Sequence, residues 1–397
     1  MHASPTLFWK SVVTVAAMMA GMAMFQYVPL PARGTTMKVV KLARRTVGTR
    51  GLSAEAREEQ TAGYYQELLN GAANVVAKNP TAITKMVDAE EEPVAPELEE
   101  LTANVADINE YSKGFLVYRP KGNLDIRDPR FNNVRHVTNS LGFNDREYPF
   151  EREPHTRRVL ILGDSMARAL GVESGQGFEP QLEASLNERA RTPAIQKFEL
   201  VNMGVSGYRL TQIVDLALLD GPKYRPDAYV LVVSWLTVGR KWGLHLAQMA
   251  DEGIDPKYDF LRKVTTEANL RKGDSVRQTE ARLARFMLPA FRWALDELAN
   301  RAKADGAEFA VVLIPHLKGI GSYDGDFNPI RKVLKERGIP YADLLDTFDD
   351  VDIAALDVGD GLHPNAEGHR MLFEQLEKRI AADPQMAHVF TGAPAKP

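Results

Sequence analysis

Val159-Leu160-Ile161-Leu162-Gly163-Asp164-Ser165-Met166 is the stretch on which the reading of this chain turns. Four apolar residues in a row, introduced by Arg157 and Arg158 and closed by a glycine, suit a strand buried on both faces of a parallel sheet. Periodicity alone leaves a buried helical segment open. In open α/β sheets, ligands bind beyond the carboxyl ends of the strands. Gly163, Asp164 and Ser165 fall there, which makes Ser165 the candidate nucleophile. By itself the triplet more often marks an ordinary strand-to-helix turn with the serine as N-cap, so the reading depends on what the rest of the chain supplies.

Downstream, strand-like and helix-like segments alternate. Phe178 to Arg189 has helical apolar spacing at Leu182 and Leu186. Phe198 to Val201 reads as a second strand and leads into Asn202-Met203-Gly204-Val205-Ser206-Gly207. A helix over Leu210 to Leu219 follows, then a third strand over Ala228 to Val233. A long amphipathic helix over Phe286 to Ala304 precedes a fourth strand, Phe309 to Ile314. Ile330 to Arg337 reads as helix, Tyr341 to Leu345 as a short strand, and Glu367 to Ile380 as a terminal helix. Such alternation implies an α/β, doubly wound parallel sheet, a three-layer flavodoxin-like arrangement with helices on both faces. Lys241 to Arg277 has no place in that core and reads as a lid or a docking surface.

Upstream, Ser11 to Val28 is nearly all apolar or small, close to the ~20 residues that a spanning helix needs. It reads as an N-terminal transmembrane helix, with a cleaved signal peptide ending near Leu30-Pro31-Ala32 as the alternative. Arg33, Lys38, Lys41, Arg44, Arg45 and Arg50 follow it, and by the positive-inside rule they favour a cytoplasmic domain. A helix is expected from near Ser53, and the acidic run Asp88 to Glu100 reads as a solvated linker. Thr138-Asn-Ser-Leu-Gly-Phe143 suggests a turn just before the key strand. The expected organisation is an anchor over 1–32, a membrane-proximal arm and acidic linker over 33–137, the α/β domain over 138–383 and a tail over 384–397.

Composition narrows the function. The 397 residues carry a net charge of −4, which gives no case for nucleic-acid binding. There is no cysteine, so thiol catalysis, disulfides and thiolate metal sites are excluded. His155, His245 and His316 show no metal-ligand spacing, and no metal or organic cofactor is implied. His369 reads as structural, and Trp235 and Trp242 as packing or interface residues.

Three blocks in order carry a resemblance. From Thr138 to Ile380 the chain resembles the SGNH/GDSL hydrolase superfamily. Gly163-Asp164-Ser165 is similar to its nucleophile block, and Asn202-Met-Gly204-Val-Ser-Gly207-Tyr208 to its second block, where Gly204 takes the place of the oxyanion glycine. Asp360-Gly-Leu-His363 is similar to the block supplying acid and base. The chemistry can be argued from the residues themselves. A serine needs an adjacent base, and His363 has a near-neutral intrinsic pKa suited to proton shuttling. Asp360, three residues away, can hold the imidazole in one tautomer. The backbone N–H groups of Ser165 and Gly204 would donate to a developing oxyanion.

One block departs. The superfamily usually offers Gly-x-Asn-Asp after the third strand, with the asparagine as a further oxyanion donor. Here Val233-Ser-Trp-Leu-Thr-Val-Gly239 places Leu236 or Thr237 there, and only Thr237 can donate from its side chain. Loss of one such donor typically costs ~10²–10³ in turnover. Two functional classes follow. One is a membrane-anchored serine esterase working through an acyl-serine intermediate on an acyl-ester substrate, including carbohydrate O-acetyl groups. The other is an impaired domain serving as a structural subunit among other membrane-complex subunits. The expected location is a single-pass protein in the lipid bilayer with its domain on the extracytoplasmic side.

Overall fold

The computed structural model describes residues 108–393 apart from 112–113, 129–130, 132, 240 and 318–322. The chain divides into two compact units, Met1–Gln66 and Glu67–Pro397, and the described residues all belong to the second. The candidate span Ser11 to Val28, the helix expected near Ser53 and the acidic run 88–100 lie outside the described residues.

Two small antiparallel pairs come first: β1 (Asn109–Tyr111) with β2 (Tyr118–Pro120), and β3 (Asp125–Asp128) with β4 (Val134–Val137). The Asn139 side chain then shapes the next turn by accepting the N–H groups of Leu141 and Phe143. β5 (Thr156–Leu162) follows, then α1 (Phe178–Arg189), β6 (Lys197–Asn202), α2 (Leu210–Asp220), β7 (Ala228–Val233) and the single turn α3 (Trp235–Val238). The segment with no place in the sequence reading forms α4 (Leu244–Glu252) and α5 (Asp259–Glu267), followed by α6 (Val276–Leu283). The chain closes with α7 (Met287–Asp305), β8 (Glu308–Leu313), α8 (Tyr323–Glu336), β9 (Tyr341–Asp343), α9 (Ala366–Ala382) and α10 (Pro384–Thr391).

The sheet order is β6-β5-β7-β8-β9, all parallel. Numbered within the sheet this is 2-1-3-4-5, the flavodoxin-like doubly wound order. α1 packs with α9, and α7 with α2 and α8, so helices cover both faces. All six residues of β7 are buried, as its uninterrupted apolar run requires of a central parallel strand. The order reverses between β5 and β7, and ligands bind at such a switch point.

Two expectations are corrected. No helix among the described residues is long and apolar enough to cross a membrane. The longest of them, α7 with 19 residues, carries Arg292, Asp296, Glu297 and Arg301 along its length, as an amphipathic helix does. The single-pass membrane location is therefore withdrawn. Residues 384–391, set apart in the sequence reading as tail, form α10 instead. Asp383 caps it by accepting the N–H groups of Gln385 and Met386, Pro384 occupies its first turn, and Met386, Val389 and Phe390 are buried. The Arg157 guanidinium satisfies the carbonyls of His388 and Val389 near its end.

Candidate active site

Gly163 ends β5 where nothing larger fits. A Cβ there would lie 2.5 Å from the Ala167 Cβ and 3.2 Å from the Val232 Cβ, so the chain turns tightly against β7. The turn closes through Arg168 N–H donating to Asp164 O at 3.1 Å and Leu170 N–H donating to Ser165 O at 3.1 Å. Ser165 thus leaves the carboxyl end of β5 on a fixed backbone, fully buried.

The second half of the site comes from the loop before α9. Asp357 accepts the N–H groups of Gly359, Asp360 and Gly361, coiling the loop around one carboxylate. Asp360 Oδ1 accepts from Leu362 N and His363 N, both at 2.9 Å, which leaves Oδ2 facing the imidazole. Asn365 caps α9 by accepting from Glu367 N and Gly368 N. The loop therefore delivers His363 as a rigid unit.

The two halves meet across 198 residues of sequence. His363 Nε2 lies 2.7 Å from Ser165 Oγ, and His363 Nδ1 lies 2.6 Å from Asp360 Oδ2. With Nδ1–H donating to Asp360, Nε2 is the acceptor for the serine hydroxyl. Burial alone would raise the Asp360 carboxyl. The hydrogen bond and charge of His363, with the N–H groups of His363 and Leu362, hold it below its ordinary value. This is the geometry of a nucleophile, a base and a group that orients the base.

The expected oxyanion donors fare differently. The single N–H of Gly204 is committed to Asn202 Oδ1 at 2.9 Å, in an Asx turn. Glycine is needed at 204 for another reason, since a Cβ would lie 2.5 Å from Arg168 N. Thr237 is buried, and its hydroxyl donates to Ser234 O at 2.7 Å. Its only side-chain proton is spent within its own helical turn, and Thr237 is corrected from donor to cap-supporting residue. Leu236 is buried and offers no side-chain donor.

Sequence reasoning passed over Gly207. It has φ +80°, in the left-handed region that favours glycine, inside a turn closed by Tyr208 N–H donating to Val205 O. The Ser206 carbonyl accepts from Tyr118 Oη at 2.9 Å. Across a trans peptide the N–H points the other way, so the Gly207 N–H faces away from Tyr118. A glycine at the third position of a turn was the available signal. His316 is fully buried after β8, and its ring lies 6.4 Å from that of His363. Burial lowers its imidazole to about 3, with the His363 charge adding to the effect and Asp360 opposing it, so it is neutral beside the pair. Of the remaining histidines, His369 stacks on Phe178, and His245 is held between Thr211 Oγ1 and the Phe115 carbonyl. Trp242 is buried with its Nε1 donating to Leu283 O, whereas Trp235 is partly exposed and donates to Asp326.

The described residues thus bring a serine, a histidine and an aspartate together at the switch point of a parallel α/β sheet. The chain belongs to the GDSL-like lipase/acylhydrolase family, whose profile matches residues 161–371, just over half of the sequence. Solved structures similar to it include LAE5, an α/β hydrolase enzyme from the metagenome of Lake Arreo in Spain. That likeness is at 18% identity, 58% of this chain, 97% of that one and a TM-score of 0.39. A catalytic mutant of Axe2, an acetylxylan esterase from Geobacillus stearothermophilus, is similar at 14% identity, covering 56% of this chain and 93% of that one with a TM-score of 0.38. The psychrotrophic esterase EstA from Pseudoalteromonas sp. is similar at 17% identity, covering 57% and 97% with a TM-score of 0.36. No curated protein sequence matches the chain.

Proposed function

We propose that this chain hydrolyses acyl esters through an acyl-serine intermediate on Ser165. The observation that carries the reading is the continuous relay from Ser165 Oγ through His363 to Asp360, at 2.7 and 2.6 Å. His363 Nε2 takes the hydroxyl proton as Ser165 Oγ bonds to the acyl carbon. It then returns that proton to the alcohol as the ester C–O bond breaks. Water, deprotonated by the same nitrogen, releases the acid and restores the serine. Asp360 fixes the tautomer and stabilises the imidazolium. The N–H groups of Ser165 and Gly207 serve as oxyanion donors, with no side-chain donor from the loop after β7.

Ser165 and His363 are both fully buried, so a small acyl group demands the least opening of the site. A carbohydrate O-acetyl ester is the substrate to try first. A structural subunit would have no need of this relay. The test is labelling by a fluorophosphonate, read as intact mass, together with hydrolysis of p-nitrophenyl acetate. The wild type should gain one adduct and turn over the ester, and Ser165→Ala should do neither. A folded wild type that takes no label would overturn the reading.

A further inference from the structure

We propose that Ser234 is a positioning residue for the nucleophile, acting through Asp164. The inference rests on the reading of Ser165 as the nucleophile. Asp164 precedes Ser165 and is fully buried. Its Oδ1 accepts the Met166 N–H at 2.9 Å, so the carboxylate spans the peptide units on either side of Ser165. Its Oδ2 accepts the hydroxyl of Ser234, the N-cap residue between β7 and α3.

Ser234 is itself held. Its Oγ accepts from Leu236 N–H at 3.1 Å, and its carbonyl takes the Thr237 hydroxyl at 2.7 Å. A line of hydrogen bonds therefore runs from the buried turn after β7, through Asp164, to the backbone that carries Ser165. Burial drives the Asp164 carboxyl upward, while the Ser234 hydroxyl and the Met166 N–H pull against that rise, with His363 and Arg209 adding smaller effects. The hydroxyl thus supports the charged form that holds both contacts.

The mechanical consequence follows from where the other half of the site is anchored. His363 comes from a loop that is separate in sequence, so the 2.7 Å approach of Ser165 Oγ to His363 Nε2 survives only while both loops keep their places on the sheet. A misplacement of about 1 Å costs roughly 10² in rate. The loop after β7 offers no donor side chain at Leu236 or Thr237 for the oxyanion and instead holds Asp164, next to the nucleophile.

The experiment compares wild type, Ser234→Ala, Ser234→Thr and Ser234→Val. Threonine and valine have the same shape and differ only in the hydroxyl, so a packing effect moves both alike. Fluorophosphonate labelling rates, kcat and KM on p-nitrophenyl acetate, and crystal structures of each variant are the readouts. We expect the alanine and valine variants to lose about 30- to 100-fold in labelling rate and kcat, with KM within about threefold, and Ser165 Oγ to leave hydrogen-bond reach of His363. Threonine should regain most of the rate. Equal rates for threonine and valine, or an unchanged separation in the alanine variant, would overturn the proposal. If the wild type itself takes no label, the acyl-serine reading fails, and the crystallographic separation still decides the positioning.

Discussion

The loops after β5 and after β7 leave the same sheet side by side, and they have been put to opposite uses. After β5 the chain places a hydroxyl, Ser165 Oγ, against His363 Nε2, with Gly163 before it so that the turn can press against β7. After β7 two hydroxyls are present, Ser234 and Thr237, and both are consumed inside the protein, one on Asp164 and one on a backbone carbonyl. A hydroxyl residue in a site loop is therefore not itself a functional group. What it donates to decides whether it reacts, binds or braces. The same distinction separates Gly204, whose N–H is spent on Asn202, from Gly207.

The contrast can be broken at either loop. For the partner that Ser165 faces, Asp360→Asn in the loop before α9 should cost about 10⁴ in kcat, because an amide facing Nδ1 favours the wrong tautomer. Steady-state kinetics on p-nitrophenyl acetate check this, and a loss under tenfold would detach Asp360 from the relay. On the β7 side, Leu236→Asn offers the hole a further donor and should raise kcat by up to ~10² with little change in KM. No gain in a folded variant would mean that the hole is already complete. Thr237→Val should leave kcat within about threefold and cost about 1 kcal/mol in urea unfolding, the worth of its internal hydrogen bond. A hundredfold loss of kcat would return Thr237 to the role the sequence suggested.

The smallest effect lies behind β6. Asn202 ties the Gly204 loop to Ala167 O at 2.8 Å and to Glu179 Oε2 at 3.3 Å, and Asp145 accepts its backbone N–H. Burial, and then repulsion from Asp145 and Glu183, raises the Glu179 carboxyl. Burial pushes Asp145 up to about 7, against the pull of donors from Asn202 and Arg146. Both groups hold protons more tightly folded than unfolded. Their contribution to stability is complete below the ordinary carboxylate range and is lost as pH rises above it, towards about 7 for Asp145. Glu179→Gln removes one titrating member and keeps an acceptor for Asn202. Its Tm relative to wild type should therefore climb by about a few degrees as pH is raised from the ordinary carboxylate range into the alkaline range. A difference that does not change with pH would show that the cluster binds no extra proton.

The elements legible in the sequence were those whose local pattern and buried environment agree. β5, β7 and β8 are continuous apolar runs because both faces of a central parallel strand are covered. β3 and β4, Asp-Ile-Arg-Asp and Val-Arg-His-Val, carry charges on short strands paired only with each other, and they left no comparable trace. α10 did carry a start signal in Asp383-Pro384, but its apolar residues are too few to show a period. The helices α4 and α5, nine residues each, went unassigned as well.

The sequence by itself determined the order of the blocks and the parallel sheet, and it singled out Ser165, His363 and Asp360 as candidates. Residue type and chain order suffice to say which groups can react and on which end of a strand they stand. Tertiary structure alone decided which of them meet. It spent the protons of Gly204 and Thr237 on local partners, turned Gly207 into a left-handed corner and bound Ser234 to Asp164. A hydrogen-bonding group has few protons to give, and which neighbour receives them is set by packing between segments far apart in the chain.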